Sequence, residues 1–446
     1  MFPFPKLKST KSSARKRNRV ARQLSVEDLE GRALLTTLPL NLPVTVNATP
    51  VEINGTLYFN GKDSVNGTQL WESNGTLAGT VMLTSANTAR GGINPQNLTA
   101  VGNTLYFTAN DGPTYGSQIW KSGGTAATTT RVSSTAMLMP KTLTNVNGTL
   151  YFVGYDSVNR YQVFKTNGTE AGTTIVSKIN PAAGSNPSKL TAVGNTLYFS
   201  ATDGVKGYQL WKTDGTTAGT TMVTTTVTGV TGMSPSLMTA VGNTLYFSAL
   251  DTRGVELWKT DGTAAGTTLI KDINPGPGSS TLANLTNVNG TLYFTANDGV
   301  HGIQVWKTDG TATTTSMVTN ITTVMGSAPS QLTAIGTTIY FTANDGVHGS
   351  QVWKTDGTAA GTSIVTSING KAGSAPQDLR NVNGTLYFTA YSTLTGMQMW
   401  KTDGSLLGTI MTTNINAPLG INPTNVIVSG GKLFFNTAGA SLWVVS

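Results

Sequence analysis

One feature restricts this chain more than any other. An aromatic residue following a Thr-Leu-Tyr or similar triplet recurs at Phe59, Phe107, Phe152, Phe199, Phe247, Phe294, Phe341, Phe388 and Phe435, at spacings of 45–48 residues. A second aromatic follows each by 8–13 residues: Trp71, Trp120, Phe164, Trp211, Trp258, Trp306, Trp353, Trp400 and Trp443. All eight Trp of the chain occupy this slot, and Phe164 fills the ninth. A fixed period of this length means supersecondary units that cannot bury their apolar faces alone and must stack on one another.

The unit from Leu285 to Ile321 shows the pattern. Apolar segments of 4–7 residues, rich in β-branched and aromatic side chains, alternate with polar residues and are bounded by Asn-Gly, Asp-Gly or Gly-Asn pairs. That is a strand and hairpin signal. Asn-Gly suits a two-residue hairpin because both central residues need φ > 0, and such turns, with the Asp-Gly pairs, explain the excess of glycine, 51 in 446 residues. Each period holds four short antiparallel strands in about 47 residues, the signature of a β-propeller blade. Parallel β-helices have shorter periods, and helical arrays need a 3.6-residue periodicity that is absent here. The fold class is therefore all-β, a single propeller whose Phe and Trp anchors fill the space between blades.

The ends set the blade count. The first three strand slots occur nine times, but the fourth, Thr-rich slot follows only eight of the nine anchors, and the sequence stops at Trp443-Val444-Val445-Ser446. An unassigned strand-like segment, residues 37–46, precedes the first unit. It is expected to pair with the last unit and close a ring of nine blades. The competing reading is eight blades plus an irregular terminal unit. Either way, the several domains that 446 residues ordinarily suggest become one closed domain over residues 37–446.

The net charge of +8 is concentrated in one place. Residues 1–36 carry nine Lys/Arg and three acidic residues, whereas the remainder carries 20 basic and 18 acidic residues. The body has no basic stripe of the kind that would follow a phosphate backbone, so nucleic acid is not an expected partner. The basic arm reads as a targeting or processing segment, although no apolar core of 7–15 residues follows it. Ser25 and Asp28 resemble a helix-start pattern. Val26, Leu29, Ala33 and Leu34 share a face at helical spacing, so a short amphipathic helix is expected over residues 25–35. No apolar run is long enough to cross a membrane as a helix.

Candidate chemistry is sparse. There is no Cys and there are two His, which excludes disulfides, thiol nucleophiles and zinc ribbons. The Asp-Gly turns at Asp214-Gly215, Asp261-Gly262, Asp309-Gly310, Asp356-Gly357 and Asp403-Gly404 recur at one point of the unit. Calcium needs six to eight oxygens, and these loops lack the alternating acidic ligands, so each Asp is expected to cap its own turn. Calcium is kept as the minority alternative to no cofactor. A glycosidase needs two carboxyls flanking the scissile bond. The body has four Glu (Glu52, Glu72, Glu170, Glu256), none in a catalytic motif, and Asp272 and Asp378 read as solvated loop residues. His301 and His348 occupy equivalent loops without a companion Ser motif. No catalytic or metal residue is assigned; the site residues are the structural anchors and turns named above.

Two resemblances add to this. Glu256-Leu257-Trp258-Lys259-Thr260-Asp261-Gly262-Thr263 resembles, at every fixed position, the bacterial repeat family named for Glu-Leu-Trp-x-x-Asp-Gly-Thr. Related copies lie at 209–216, 304–311, 351–358 and 398–405. The Glu is Gln in most copies and Ser441 in the last; the turn Asp is Asn74 and Asn167 in the first and third units. Leu29-Glu30-Gly31-Arg32-Ala33-Leu34-Leu35 is similar to the N-terminal Leu-Glu-x-Arg-x-Leu-Leu motif of exported proteins of Planctomycetes. Together these resemblances imply an exported or cell-surface repeat protein without catalytic activity. The expected role is a monomeric binding, adhesion or display scaffold, with polysaccharide or an envelope or matrix protein as candidate partner. A purely structural envelope protein and a glycan-active enzyme are the alternatives.

Overall fold

The computed structural model describes residues 37–39, 44–46, 50–110, 112–114, 116–133, 138–224, 232–322, 327–413, 420–437 and 442–445. The expected helix at 25–35 and the basic arm lie outside the described residues.

Among the described residues the chain is built of nine antiparallel sheets, with only three single-turn 3-10 segments. Numbered in chain order, each sheet is one blade. Blade 6 is representative: Ala283–Val288, Thr291–Asn297, Ile303–Thr308 and Ser316–Met317 pair in sequence order. Blade 5 consists of Ser236–Val241, Thr244–Asp251, Gly254–Thr260 and Thr268–Lys271. The first strands of consecutive blades contact one another and so form the innermost layer of a nine-bladed propeller.

The ends meet in blade 9, where Thr424–Ser429, Lys432–Asn436 and Leu442–Val445 are joined by Thr37–Pro39, with Thr37 opposite Val445 and Pro39 opposite Trp443. Proline is tolerated there because the outermost strand has a free edge. The segment 37–46 does not pair with the last unit over its whole length. Thr45–Val46 pairs with Thr56–Asp63 of blade 1, because the chain must pass from the outer edge of one blade to the innermost strand of the next. Blade 1 therefore has its inner strand in two pieces, the second being Val51–Ile53.

The core lies between blades. In each Leu-Tyr-Phe triplet, alternation along the strand sends Leu and Phe to one face and Tyr to the other. Leu245 and Phe247 of blade 5 pack with Tyr198, Leu210 and Val223 of blade 4. Tyr246 packs with Leu292 and Phe294 of blade 6. The nine anchor Phe residues are completely buried. Burying such side chains contributes roughly 1.5–3 kcal/mol each. The same scheme joins blade 9 to blade 1 through Phe434, Leu442 and Val444 against Val46, Leu57 and Phe59. The Trp slot lies on the third strand directly opposite the Phe, as in Phe294 opposite Trp306. Indole N–H groups of Trp71, Trp211, Trp306 and Trp400 donate to the carbonyls of Gly61, Ala201, Ala296 and Ala390.

Candidate functional site

The up-and-down order of strands divides the loops between two ends of the ring. One end carries the hairpins between first and second strands and the turns between third and fourth. The other carries the hairpins between second and third strands and the connections from each fourth strand to the next blade.

The Asp-Gly turns belong to the first end, and their geometry is local. Asp261 Oδ1 accepts from the Thr263 backbone N–H at 2.8 Å and the Thr263 hydroxyl at 2.7 Å. The Thr263 hydroxyl oxygen in turn accepts from Gly266 N–H. Asp214, Asp356 and Asp403 make the same bonds, and Asp309 accepts from Thr311 and Thr314. These bonds hold each carboxyl below the usual carboxylate range. Asn74 and Asn167 accept the same pair of bonds in blades 1 and 3, so the turn does not require a negative charge. Among the described residues there is no cluster of three or more His, Cys, Asp or Glu side chains arranged to hold a metal ion.

The Gly of each turn is an inter-blade contact. Gly262 has φ +93°, and a β-carbon there would lie 2.4 Å from the Tyr198 hydroxyl of blade 4. The same relation joins Gly215 to Tyr151, Gly310 to Tyr246, Gly357 to Tyr293 and Gly404 to Tyr340. Burial raises the pKa of each of these tyrosines. A Lys after the second aromatic anchor adds a charge in several blades: Lys165, Lys212, Lys307 and Lys354 attract Asp214, Asp261, Asp356 and Asp403 of the next blade. Blade 1 carries Glu72 in place of that Lys, and the following turn has Gly123 in place of Asp, which avoids juxtaposed like charges. Glu72 and burial together push Tyr58 up to about 12, burial being the larger effect.

The opposite end is less uniform. His301 and His348 sit in hairpins where their Nδ1 atoms bond Asp298 at 2.7 Å and Asp345 at 2.6 Å. Asn66 and Asn159 bond Asp63 and Asp156 in the same way, so each His serves as a turn residue. At three boundaries an Asn from the inter-blade connection closes onto the next hairpin. Asn180 abuts Gly204 and Asn274 abuts Gly299; Asn369 donates to the Tyr391 carbonyl at 2.7 Å. The boundary between blades 1 and 2 differs. The hairpin from Asn110 to Ser117 is one residue longer than its counterpart from Asn297 to Ile303. Gly112, equivalent to Gly204 and Gly299, faces open space, as Gly346 of blade 7 also does. A cavity of about 560 Å³ results, lined by Thr68, Asn87, Arg90, Asn94, Asn110 and Pro113 among others. Its size falls within the usual range for ligand sites, roughly 300–1,000 Å³. Its side-chain chemistry is one guanidinium and several amides, suited to hydroxyl and carboxylate groups.

Two acidic residues expected to be solvated are only partly exposed. Asp378 lies within the innermost strand Gln377–Val382 of blade 8, and its burial raises its pKa. Asp272 follows the outer strand of blade 5 and has a buried Oδ1 without a partner. Asp378 also marks a feature with no residue signature, a β-bulge in the innermost strand with a left-handed residue. The same position is held by Asn97, Thr142, Lys189, Leu237, Asn284, Gln331 and Asn425, with φ between 47° and 57°. Glu256 of the Glu-Leu-Trp segment is fully buried.

No protein-family model matches the chain, and no curated protein sequence does. Solved structures with a similar course of the chain include a puromycin hydrolase (14% identity, TM-score 0.41, covering 77% of this chain and 58% of that one). A prolyl oligopeptidase B from Galerina marginata matches at 13% identity with TM-score 0.45, covering 90% and 54%. An uncharacterized protein from Listeria monocytogenes EGD-e matches at 11% with TM-score 0.40, covering 74% and 97%. This chain thus spans little more than half the length of the first two.

Proposed function

We propose that this protein is an exported or cell-surface propeller that acts as a binding or adhesion scaffold without catalysing a reaction. Its ligand is a polysaccharide, and the contact site is the cavity between blades 1 and 2. The observation that carries this reading is the local departure from the repeat. Where three equivalent boundaries are closed by an Asn, this one opens into a polar cavity containing Arg90, Asn94 and Asn110. Several amides beside a guanidinium match the dense hydroxyl groups of a glycan and a carboxylate on an acidic sugar. The non-catalytic reading is supported by the burial of Glu256, which keeps that carboxyl from reaching a sugar.

The test is a glycan array, together with envelope-fraction capture, using the full chain and Arg90→Ala and Asn94→Ala. Binding that falls at least tenfold in either variant, at unchanged melting temperature, is the expected result. No binding to any glycan or fraction would leave the purely structural reading, which the redundancy of the turns also supports. Turnover of a bound glycan would make the protein an enzyme and overturn the proposal.

A further inference from the structure

Among the described residues, the Glu of the Glu-Leu-Trp segment departs from a buried pattern shared by seven other blades. In blades 1–4 and 6–8 the position is Gln69, Gln118, Gln162, Gln209, Gln304, Gln351 and Gln398, each essentially inaccessible to solvent. The amide is a hub with two distinct ends. Its Nε2 donates to backbone carbonyls: Gln69 to Asn66 and Ala86, Gln162 to Asn159 and Ile179, Gln304 to His301 and Thr322, Gln351 to His348 and Ile368. Its Oε1 accepts from Ser or Thr hydroxyls, such as Ser177 and Ser185 on Gln162 and Thr319 and Ser327 on Gln304. The hub thereby ties the hairpin between second and third strands to the connection leading to the next blade.

Blade 5 keeps the accepting end and loses the donating one. Glu256 Oε2 accepts from Ser280 Oγ and, at 3.0 Å, from Ile273 N–H. Glu256 Oε1 is buried and has no partner. By register it occupies the place of the amide nitrogen, whose sister atoms sit among carbonyl oxygens three residues before and 17 or 18 after. The neighbouring charges do not satisfy it. Asp251 and Arg253, on the adjoining hairpin, pair with each other at 2.7 Å. Lys271, which stands where sister blades place a hydroxyl, donates to the Thr315 carbonyl of blade 6 and lies over the Trp306 ring. Asp272 is a second acid whose Oδ1 is buried without a partner. An ionised carboxylate facing acceptors has nothing to offset its desolvation, whereas a carboxylic acid has the one donor this position requires.

We propose that Glu256 carries a proton in the folded ring and donates it from Oε1, so that in blade 5 a carboxylic acid takes the place of the amide used in seven other blades. Burial, and secondarily the charge of Asp272, raise its pKa, against the opposing hydrogen bonds from Ser280 and Ile273. A Glu whose folded pKa lies above the unfolded value of about 4.3 favours folding most at pH below that value. Its contribution is lost as pH rises through the folded pKa. Blade 5 therefore carries a titrating group where seven other blades carry a neutral amide.

The test is thermal unfolding of the full chain and of Glu256→Gln from about pH 5 to about pH 9. The variant restores the amide found in the sister blades, so it is expected to fold. Its melting temperature should match the parent at the acid end and exceed it by on the order of 2 °C or more at the alkaline end. An infrared difference spectrum at neutral pH should show a protonated carboxyl stretch lost in the variant. Parallel melting curves and no such band would mean that Glu256 is ionised and would overturn the proposal. Stoichiometric calcium uptake abolished by Glu256→Gln would overturn it equally, by assigning the unpartnered oxygen to a cation.

Discussion

The two ends of the ring are built from the same strands and differ in how far they depart from the repeat. At the Asp-Gly end most turns bond to themselves through Asp or Asn and Thr or Ser, then meet the Tyr of the preceding blade through a Gly that admits no side chain. At the opposite end most described hairpins share an Asp-centred turn, blade 8 using Ser392 instead, and they differ in length. The Asn contact that closes three boundaries is missing between blades 1 and 2. Repetition at the first end reflects a packing requirement renewed at every blade. A ligand site needs to be built only once, so in a repeat protein it is better sought where the repeat breaks than where it is most regular.

Four variants probe this difference between the two ends. Removing residues 1–46 takes away the outer strand of blade 9 and part of the inner strand of blade 1. It should lower the melting temperature more than any point substitution, whereas removing residues 1–36 should not; equal melting of the two truncations would contradict the strand assignment. Gly262→Ala should come next, costing about 2–4 kcal/mol by denaturant unfolding, because it combines unfavourable φ with a contact on Tyr198. Leu237→Asn should act in the opposite direction, stabilising by about 0.5–1 kcal/mol, since Asn tolerates the left-handed backbone that Leu237 adopts. Asp261→Asn should be the mildest, because Asn74 and Asn167 already make the same turn. Its effect should appear as pH dependence. Asp261 has a lowered folded pKa, so its contribution is present above the unfolded value of about 3.9 and is lost as pH falls through the folded value. The Asn variant should lose less stability on acidification, as read by melting curves at about pH 2–6.

Much of the architecture was legible because it is periodic. The Phe and Trp slots, the Asn-Gly hairpins and the nine blades follow from spacing and alternation. The contact of Tyr198 with Gly262 was not, because the partners are 64 residues apart and are joined only when blades stack. The inner-strand bulge was hidden for a different reason. Its left-handed position accepts Asn, Thr, Lys, Leu, Gln and Asp alike, so no residue type announces it. Asp378 and Asp272 looked solvated because a short strand end and its loop are indistinguishable in sequence. The cavity was invisible because a one-residue insertion at Asn110–Ser117 matters only against the neighbouring boundaries. Glu256 stood in plain view as a motif residue, but its interest arises from the Gln hubs, whose partners are assembled in three dimensions.

Hydrogen–deuterium exchange of the full chain, with and without a polysaccharide that it retains, reads out whether recognition lies where the repeat breaks. Protection confined to residues 87–94 and 110–116 is the outcome expected. Protection over the Asp-Gly turns, with the cavity segments unchanged, would contradict it.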